Sequence, residues 1–131
     1  MRLDLSIIVV HWNVPALLDS CLRSIAAERE RAAELTCETI VVDCASPSDA
    51  HRAVVARHPG VTLVELAENR GYAAGCNAGM AAGRGDAVLI LNPDVELETG
   101  SLATLHDGLQ IAEHIGMTAP LLLNSDGSQQ S

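Results

Sequence analysis

The sequence contains no lysine and no phenylalanine, and only one tryptophan and one tyrosine in 131 residues. Without lysine there is no P-loop, no Schiff-base nucleophile and no lysine of a receiver-domain pocket. The eight positive side chains are all arginines and stand against 17 acidic ones, and the resulting net charge of −9 argues against any nucleic-acid partner. With so few aromatics the core must be built from Val, Ile, Leu and Ala, the side chains of buried parallel strands. Four cysteines, Cys21, Cys37, Cys44 and Cys76, lie far apart with no C-x-x-C pair. Since no signal-peptide pattern accompanies them, they are expected to be reduced in a cytoplasmic protein, free or at the inner face of a membrane. The longest apolar runs are strand-sized, well short of the roughly 20 residues that span a bilayer. No G-x-S-x-G nucleophile motif is present, and the five histidines show no metal-ligand spacing. His51, His58, His106 and His114 are expected to be ordinary surface or partly buried residues.

What is present is a regular alternation. Runs rich in β-branched residues occur at Leu5–Val10, Thr39–Val42, Val61–Leu66, Ala87–Leu91 and Met117–Leu123, and helical spacing fills the gaps between them. Asn13 and Pro15 signal a helix start, after which Leu17, Leu18, Cys21, Leu22, Ile25 and Ala26 mark one face. Leu102, Leu105, Leu109 and Ala112 mark another. Strands that alternate with helices predict an α/β fold with a mostly parallel sheet sandwiched by helices, because each parallel connection crosses over through a helix. One domain over residues 1–123 is expected, followed by a polar tail at 124–131.

In such a sheet ligands bind beyond the carboxyl ends of the strands, so the residues just after each strand carry the functional signal. His11, Trp12 and Asn13 follow the first strand, Asp43 and Cys44 the second, and Asn92, Pro93 and Asp94 the fourth. Asp94 offers a hard oxygen to Mg²⁺ or Mn²⁺, which takes one or two carboxylates and completes its shell with phosphate oxygens and water. The same residue can instead cap its turn. Asp43 can accept hydrogen bonds from a pyrimidine ring or a ribose, or can hold its own loop, Ala45 to Asp49, which also offers an N-cap to the next helix. Glycines at 71, 75 and 79 open a helix of small residues that can lie very close to the sheet, while its free N–H groups and Arg70 can face a diphosphate.

Taken together, these segments resemble glycosyltransferase family 2, and especially its rhamnosyltransferase-like members, over nearly the whole chain. Ser6–Asn13 is similar to the opening strand of that family, Glu38–Ser46 to its second-strand motif, Glu68–Gly79 to its Asn-x-Gly motif and following helix, and Leu91–Asp94 to its metal motif, in the Asn-Pro-Asp form. His11 with Trp12 and Cys44 depart from the usual Tyr or Asn and from the usual Asn. The resemblance implies a GT-A fold, here incomplete, and inverting transfer of a sugar from a nucleotide-diphosphate sugar, such as dTDP-rhamnose or a UDP-sugar, to a glycan or lipid-linked acceptor. It assigns nucleotide binding to Val10, His11, Trp12, Asn13, Asp43, Asn69, Arg70, Asn77 and Asn92, and Mg²⁺ or Mn²⁺ to Asp94. The general base of such enzymes comes from a later acceptor region and is expected beyond Ser131, leaving this chain as the donor half and inactive alone. Two alternatives stay open: a non-catalytic nucleotide-binding module acting with a partner chain, and a flavodoxin-like or receiver-like binding domain. A face left bare by a missing half is expected to drive self-association.

Overall fold

The computed structural model describes residues 2–130. Four strands, β1 (Leu3–His11), β2 (Cys37–Asp43), β3 (Val61–Glu65) and β4 (Gly85–Leu91), alternate with four helices, α1 (Pro15–Arg31), α2 (Ala50–Ala56), α3 (Tyr72–Ala82) and α4 (Ser101–Gln110). All the strand pairs are parallel, in the order β3-β2-β1-β4. β1 therefore lies inside the sheet, and its run from Leu5 to His11 is buried throughout. An unbroken apolar run is what a strand covered on both faces requires.

Side chains alternate across the pleat and divide the core in two. Ile7, Val9, Val41 and Leu91 meet Leu18, Cys21, Leu22 and Ile25 of α1, Val54 and Val55 of α2, and Leu102 of α4. Ile8, Val10, Ile40, Val42 and Cys44 meet α3 on the other face. The glycine spacing lets α3 come that close. A Cβ on Gly75 would lie 2.6 Å from Val10 Cγ1 and 2.9 Å from Cys44 Sγ.

α1 has a second function, carried by a polar stripe on its buried side. The Cys21 thiol faces the Asn92 carbonyl at 3.9 Å, Ser24 Oγ accepts the Leu97 N–H at 3.0 Å, and Glu28 accepts the N–H groups of Gly100 at 3.2 Å and Leu102 at 3.1 Å. These anchors lie three and four residues apart, on one helical face. They hold the whole segment that leaves β4, and Glu28 caps α4 from a neighbouring helix, since no side chain of the segment's own caps it.

Several expectations require correction. Met117–Leu123 is not a fifth strand: its backbone makes no ladder with β4, and only Leu123 forms an isolated antiparallel bridge, to Gln129. Pro120 lacks the N–H that a ladder would use at that point, and Leu121, Leu122 and Leu123 remain exposed. Asn13 does not cap α1. It takes a left-handed conformation, φ 55°, Val14 occupies the cap position without a side-chain bond, and Pro15 is the first helical residue. Leu17 is exposed, and the buried face of α1 continues to Glu28 in place of Ala26. Ala112 lies beyond the end of α4. Asp49 occupies the cap position of α2 but makes no side-chain cap bond.

Candidate functional site

At the carboxyl ends of the strands the chain builds two different environments, one on either side of β1. His11, Asp43 and Glu65 are partners in the parallel register, so their side chains form a row across β1, β2 and β3 on the α2 side. His51, from the first turn of α2, closes over that row.

Hydrogen bonding fixes the state of each member. The Val14 N–H donates to His11 Nε2 at 3.0 Å, so that nitrogen is an acceptor and the proton sits on Nδ1, which donates to Asp43 Oδ1 at 2.8 Å. Asp43 Oδ1 also accepts the Ser46 hydroxyl at 2.6 Å, and Oδ2 accepts the Ser46 N–H at 3.0 Å. Burial pushes the Asp43 carboxyl up, but the bonds from Ser46 and His11 outweigh it and hold the group below the ordinary value. Ala45, at φ 60°, makes the sharp turn that brings Ser46 back over Asp43. His51 Nε2 lies 2.8 Å from Glu65 Oε2 and 3.6 Å from Asp43 Oδ2. Arg52 Nε donates to the same Glu65 oxygen at 2.8 Å, and together with His51 it lowers the Glu65 carboxyl.

On the other side of β1 the rim is open. Asn92 and Asp94 are exposed in the turn that follows β4, closed by the Val95 N–H bond to the Asn92 carbonyl at 3.1 Å. They line a groove of about 490 Å³ with Tyr72, Glu96, Glu98 and the Leu121–Leu123 segment. Behind this groove the Cys21 thiol is pushed up to about 12, first by burial and then by the charges of Asp94 and Glu96. Exposed carboxylates and an amide oxygen, Asp94 and Asn92 among them, are donors of the kind that could hold a hard divalent cation. The tighter cluster among the described residues, Asp43, His51 and Glu65, lies across the rim.

Of the residues singled out in the sequence, Trp12 and Asn13 stand exposed at the end of β1, between the two environments. Asn69 Oδ1 accepts the Gly71 N–H at 2.9 Å and shapes the loop before α3. Arg70 is exposed and pairs with Glu68 at 3.3 Å. Val10 is buried under Gly75, so only its backbone is near the rim. Asn77 is exposed on the second turn of α3. His51 is a correction, because it is 3% exposed and central to the polar row. Its signal was its spacing from Val54 and Val55, three and four residues on, which places all three on the buried face of a short helix. Glu65 and Glu28 were also missed. Glu28 continues the Leu18–Ile25 stripe by one more step of three.

With this geometry in place, comparisons with known proteins can be set beside it. The model of a family described as Glycosyl transferase family 2 matches residues 6–119. The chain is 28% identical over 135 residues to an N-acetylglucosaminyl-diphospho-decaprenol L-rhamnosyltransferase of Mycobacterium tuberculosis, covering 95% of this chain and 43% of that protein. Among solved structures, mannosyltransferase PcManGT from Pyrobaculum calidifontis, in complex with GDP-Man and Mn²⁺, superimposes with a TM-score of 0.64 and 30% identity over 76% of this chain and 30% of its own. S. aureus TarS 1–349 in complex with UDP gives 0.67 at 22% identity over 82% and 33%, a likeness of fold. The α/β fold is thus of the GT-A type, and it matches only part of the length of those neighbours.

Proposed function

This chain belongs to glycosyl transferase family 2, and on that premise we propose that it is the donor-binding part of an inverting glycosyltransferase, which moves a sugar from a nucleotide-diphosphate sugar to a glycan or lipid-linked acceptor. The observation that carries the reading is the shared rim: the Asp43 loop after β2, Trp12 and Asn13 just after β1, and Asn92 and Asp94 after β4 follow one another along the carboxyl edge of three adjacent strands. Strands in a sheet lie about 4.8 Å apart, so the rim spans on the order of 10 Å, the reach of a nucleoside diphosphate. A dTDP- or UDP-sugar is the donor this reading favours, and the relative that acts as a rhamnosyltransferase supports it.

In this arrangement the nucleoside lies at the β1–β2 side, where the exposed Trp12 offers a stacking face, and the diphosphate lies toward Asn92 and Asp94. Asp94 is the residue that would hold Mg²⁺ or Mn²⁺. When bound, the cation supplies charge stabilisation for the departing diphosphate. Asn92 orients the phosphates or ribose through its amide, and α1 keeps both residues in place through Cys21 and Ser24. The acceptor and the general base that takes its proton are proposed to come from outside these 131 residues, since the chain spans 43% of the length of its rhamnosyltransferase relative. Without a base, which contributes on the order of 10² to 10⁴ in rate, transfer by the chain alone is expected to be very slow. Self-association is proposed through the exposed edge of β4, where Val88 and Ile90 meet solvent beside unpaired backbone groups. A monomer over a wide concentration range in size-exclusion chromatography would count against it.

Calorimetric titration of UDP, dTDP and GDP with Mn²⁺ and with EDTA, beside Asp94→Ala, tests the donor site. Metal-dependent binding that disappears in the variant is expected. No binding of any of the three nucleotides by the wild-type chain would sink the reading.

A further inference from the structure

Resting on the donor-site reading, we infer that the carboxylate available to the nucleoside end of the donor is Glu65, and that Asp43 is a positioning residue that acts through the loop it holds. Asp43 is 2% exposed. A carboxylate has about four acceptor positions, and three of those on Asp43 are taken by His11 Nδ1, the Ser46 hydroxyl and the Ser46 N–H. His51 Nε2 stands 3.6 Å from Oδ2 and closes the remaining approach. A base or ribose donor could reach Asp43 only by displacing a hydrogen bond in a buried network, and each lost bond would leave an unsatisfied group behind.

Glu65 is the next member of the same row and is built differently. Its side chain is 37% exposed at the carboxyl end of β3. His51 and Arg52 both donate to Oε2, which fixes the plane of the carboxylate and leaves Oε1 without a protein donor among the described residues. An acceptor oxygen held by two donors and open to the rim is suited to one directional hydrogen bond, from an imide or amide N–H of a base or from a ribose hydroxyl. His51 ties the two carboxylates together, and its Nδ1 is a buried nitrogen with no partner. That arrangement sacrifices one hydrogen bond of His51 to keep the other nitrogen on Glu65 and Asp43. The rings of His11 and His51 lie 5.8 Å apart at their centroids, one within the row and one closing over it.

The test is calorimetric titration of UDP, dTDP and GDP into the wild-type chain, Glu65→Gln and Asp43→Asn, with melting temperatures recorded for each. Because a hydrogen bond to a charged group is involved, Glu65→Gln is expected to weaken whichever nucleotide binds by roughly ten- to a hundred-fold, with a smaller change in melting temperature than Asp43→Asn. Asp43→Asn is expected to lower the melting temperature. N3-methyl-UDP and 2′-deoxy-UDP separate the two donors: the analogue lacking the group that Glu65 accepts loses affinity against the wild type and loses nothing further against Glu65→Gln. Wild-type affinity in Glu65→Gln, or lost binding with an unchanged melting temperature in Asp43→Asn, would overturn the inference while leaving the donor site standing. A wild-type chain that binds no nucleotide at all would remove the donor site and this inference with it.

Discussion

Gly75→Ala is the sharpest test of how α3 sits on the sheet. The added Cβ would meet Val10 Cγ1 at 2.6 Å and Cys44 Sγ at 2.9 Å, where ordinary contacts lie near 3.5 to 4.0 Å. Val10 is β-branched and buried at 6% exposure, and Cys44 is buried at 3%, so neither can swing clear. The helix must therefore lift by about 1 Å, opening the contact between Gly79 and Ile8 as it goes. With two contacts below 3 Å and neither neighbour free to move, overpacking here falls in the upper part of its usual range, about 2–3 kcal/mol. Alanine in place of glycine returns up to about 1 kcal/mol in helix propensity, which leaves a net loss of about 1–2 kcal/mol. In a domain of this size each kcal/mol moves the melting temperature by about 4 °C, so a fall of about 4–8 °C is expected in thermal melts followed by circular dichroism. Gly116→Ala, where no atom lies within 4 Å, serves as the control. An unchanged or raised melting temperature in Gly75→Ala would show that the close approach of α3 is not tight and that propensity governs the glycines.

Three further outcomes follow from Glu28, Asp19 and Cys21. Glu28→Ala removes the acceptor for the N–H groups of Gly100 and Leu102 and leaves them unsatisfied, so urea denaturation should show a loss of about 1–3 kcal/mol, with Glu28→Gln intermediate. Asp19 is held down to about 2, first by the hydrogen bond from His58 and also by Arg23 and Arg57. A depressed carboxyl stabilises the fold fully above its ordinary value of 3.8, and that stabilisation is lost as pH falls toward about 2. The slope of melting temperature against pH in this window should flatten in Asp19→Asn, and an equal slope would refute the pairing. Cys21, pushed up to about 12, should resist alkylation by iodoacetamide at pH 8 in the folded chain and react on denaturation.

The four core strands and the four helices were legible because each has a period that matches its environment. Leu5–Val10 reads as an apolar run since both faces of β1 are covered, and Leu18, Cys21, Leu22 and Ile25 recur at helical spacing because one face of α1 meets the sheet. Met117–Leu123 failed for the same reason in reverse. A strand-sized apolar run describes only a preference, whereas a strand exists only where another offers a ladder. Rim residues were legible by position, since the carboxyl ends of parallel strands are where ligands bind. Their partners were not, because a bond such as His51 to Glu65 joins residues 14 apart and Glu28 to Leu102 joins residues 74 apart. No local pattern records such pairings.

The two rim environments differ in what a ligand must displace, and that difference orders the site. West of β1 in the strand order, the buried Asp43 carboxylate of β2 is satisfied internally by Ser46 and His11, so the loop it holds is fixed before any ligand arrives. East of it, Asn92 and Asp94 are exposed on an edge whose geometry is set from behind by α1 through Cys21, Ser24 and Glu28. Under the proposed function, a nucleoside end held in this way would avoid ordering losses on binding, and exposed oxygens at the phosphate end would leave hard ligands free for a cation and its waters. Cys21 lies behind the β4 side: its burial near Asp94 and Glu96 keeps the thiol a packing element, so loosening the segment after β4 would expose it. The iodoacetamide rate at Cys21 therefore reports on the Asp94 turn without a ligand, and nucleotide with Mn²⁺ should slow it further if the cation rests on Asp94.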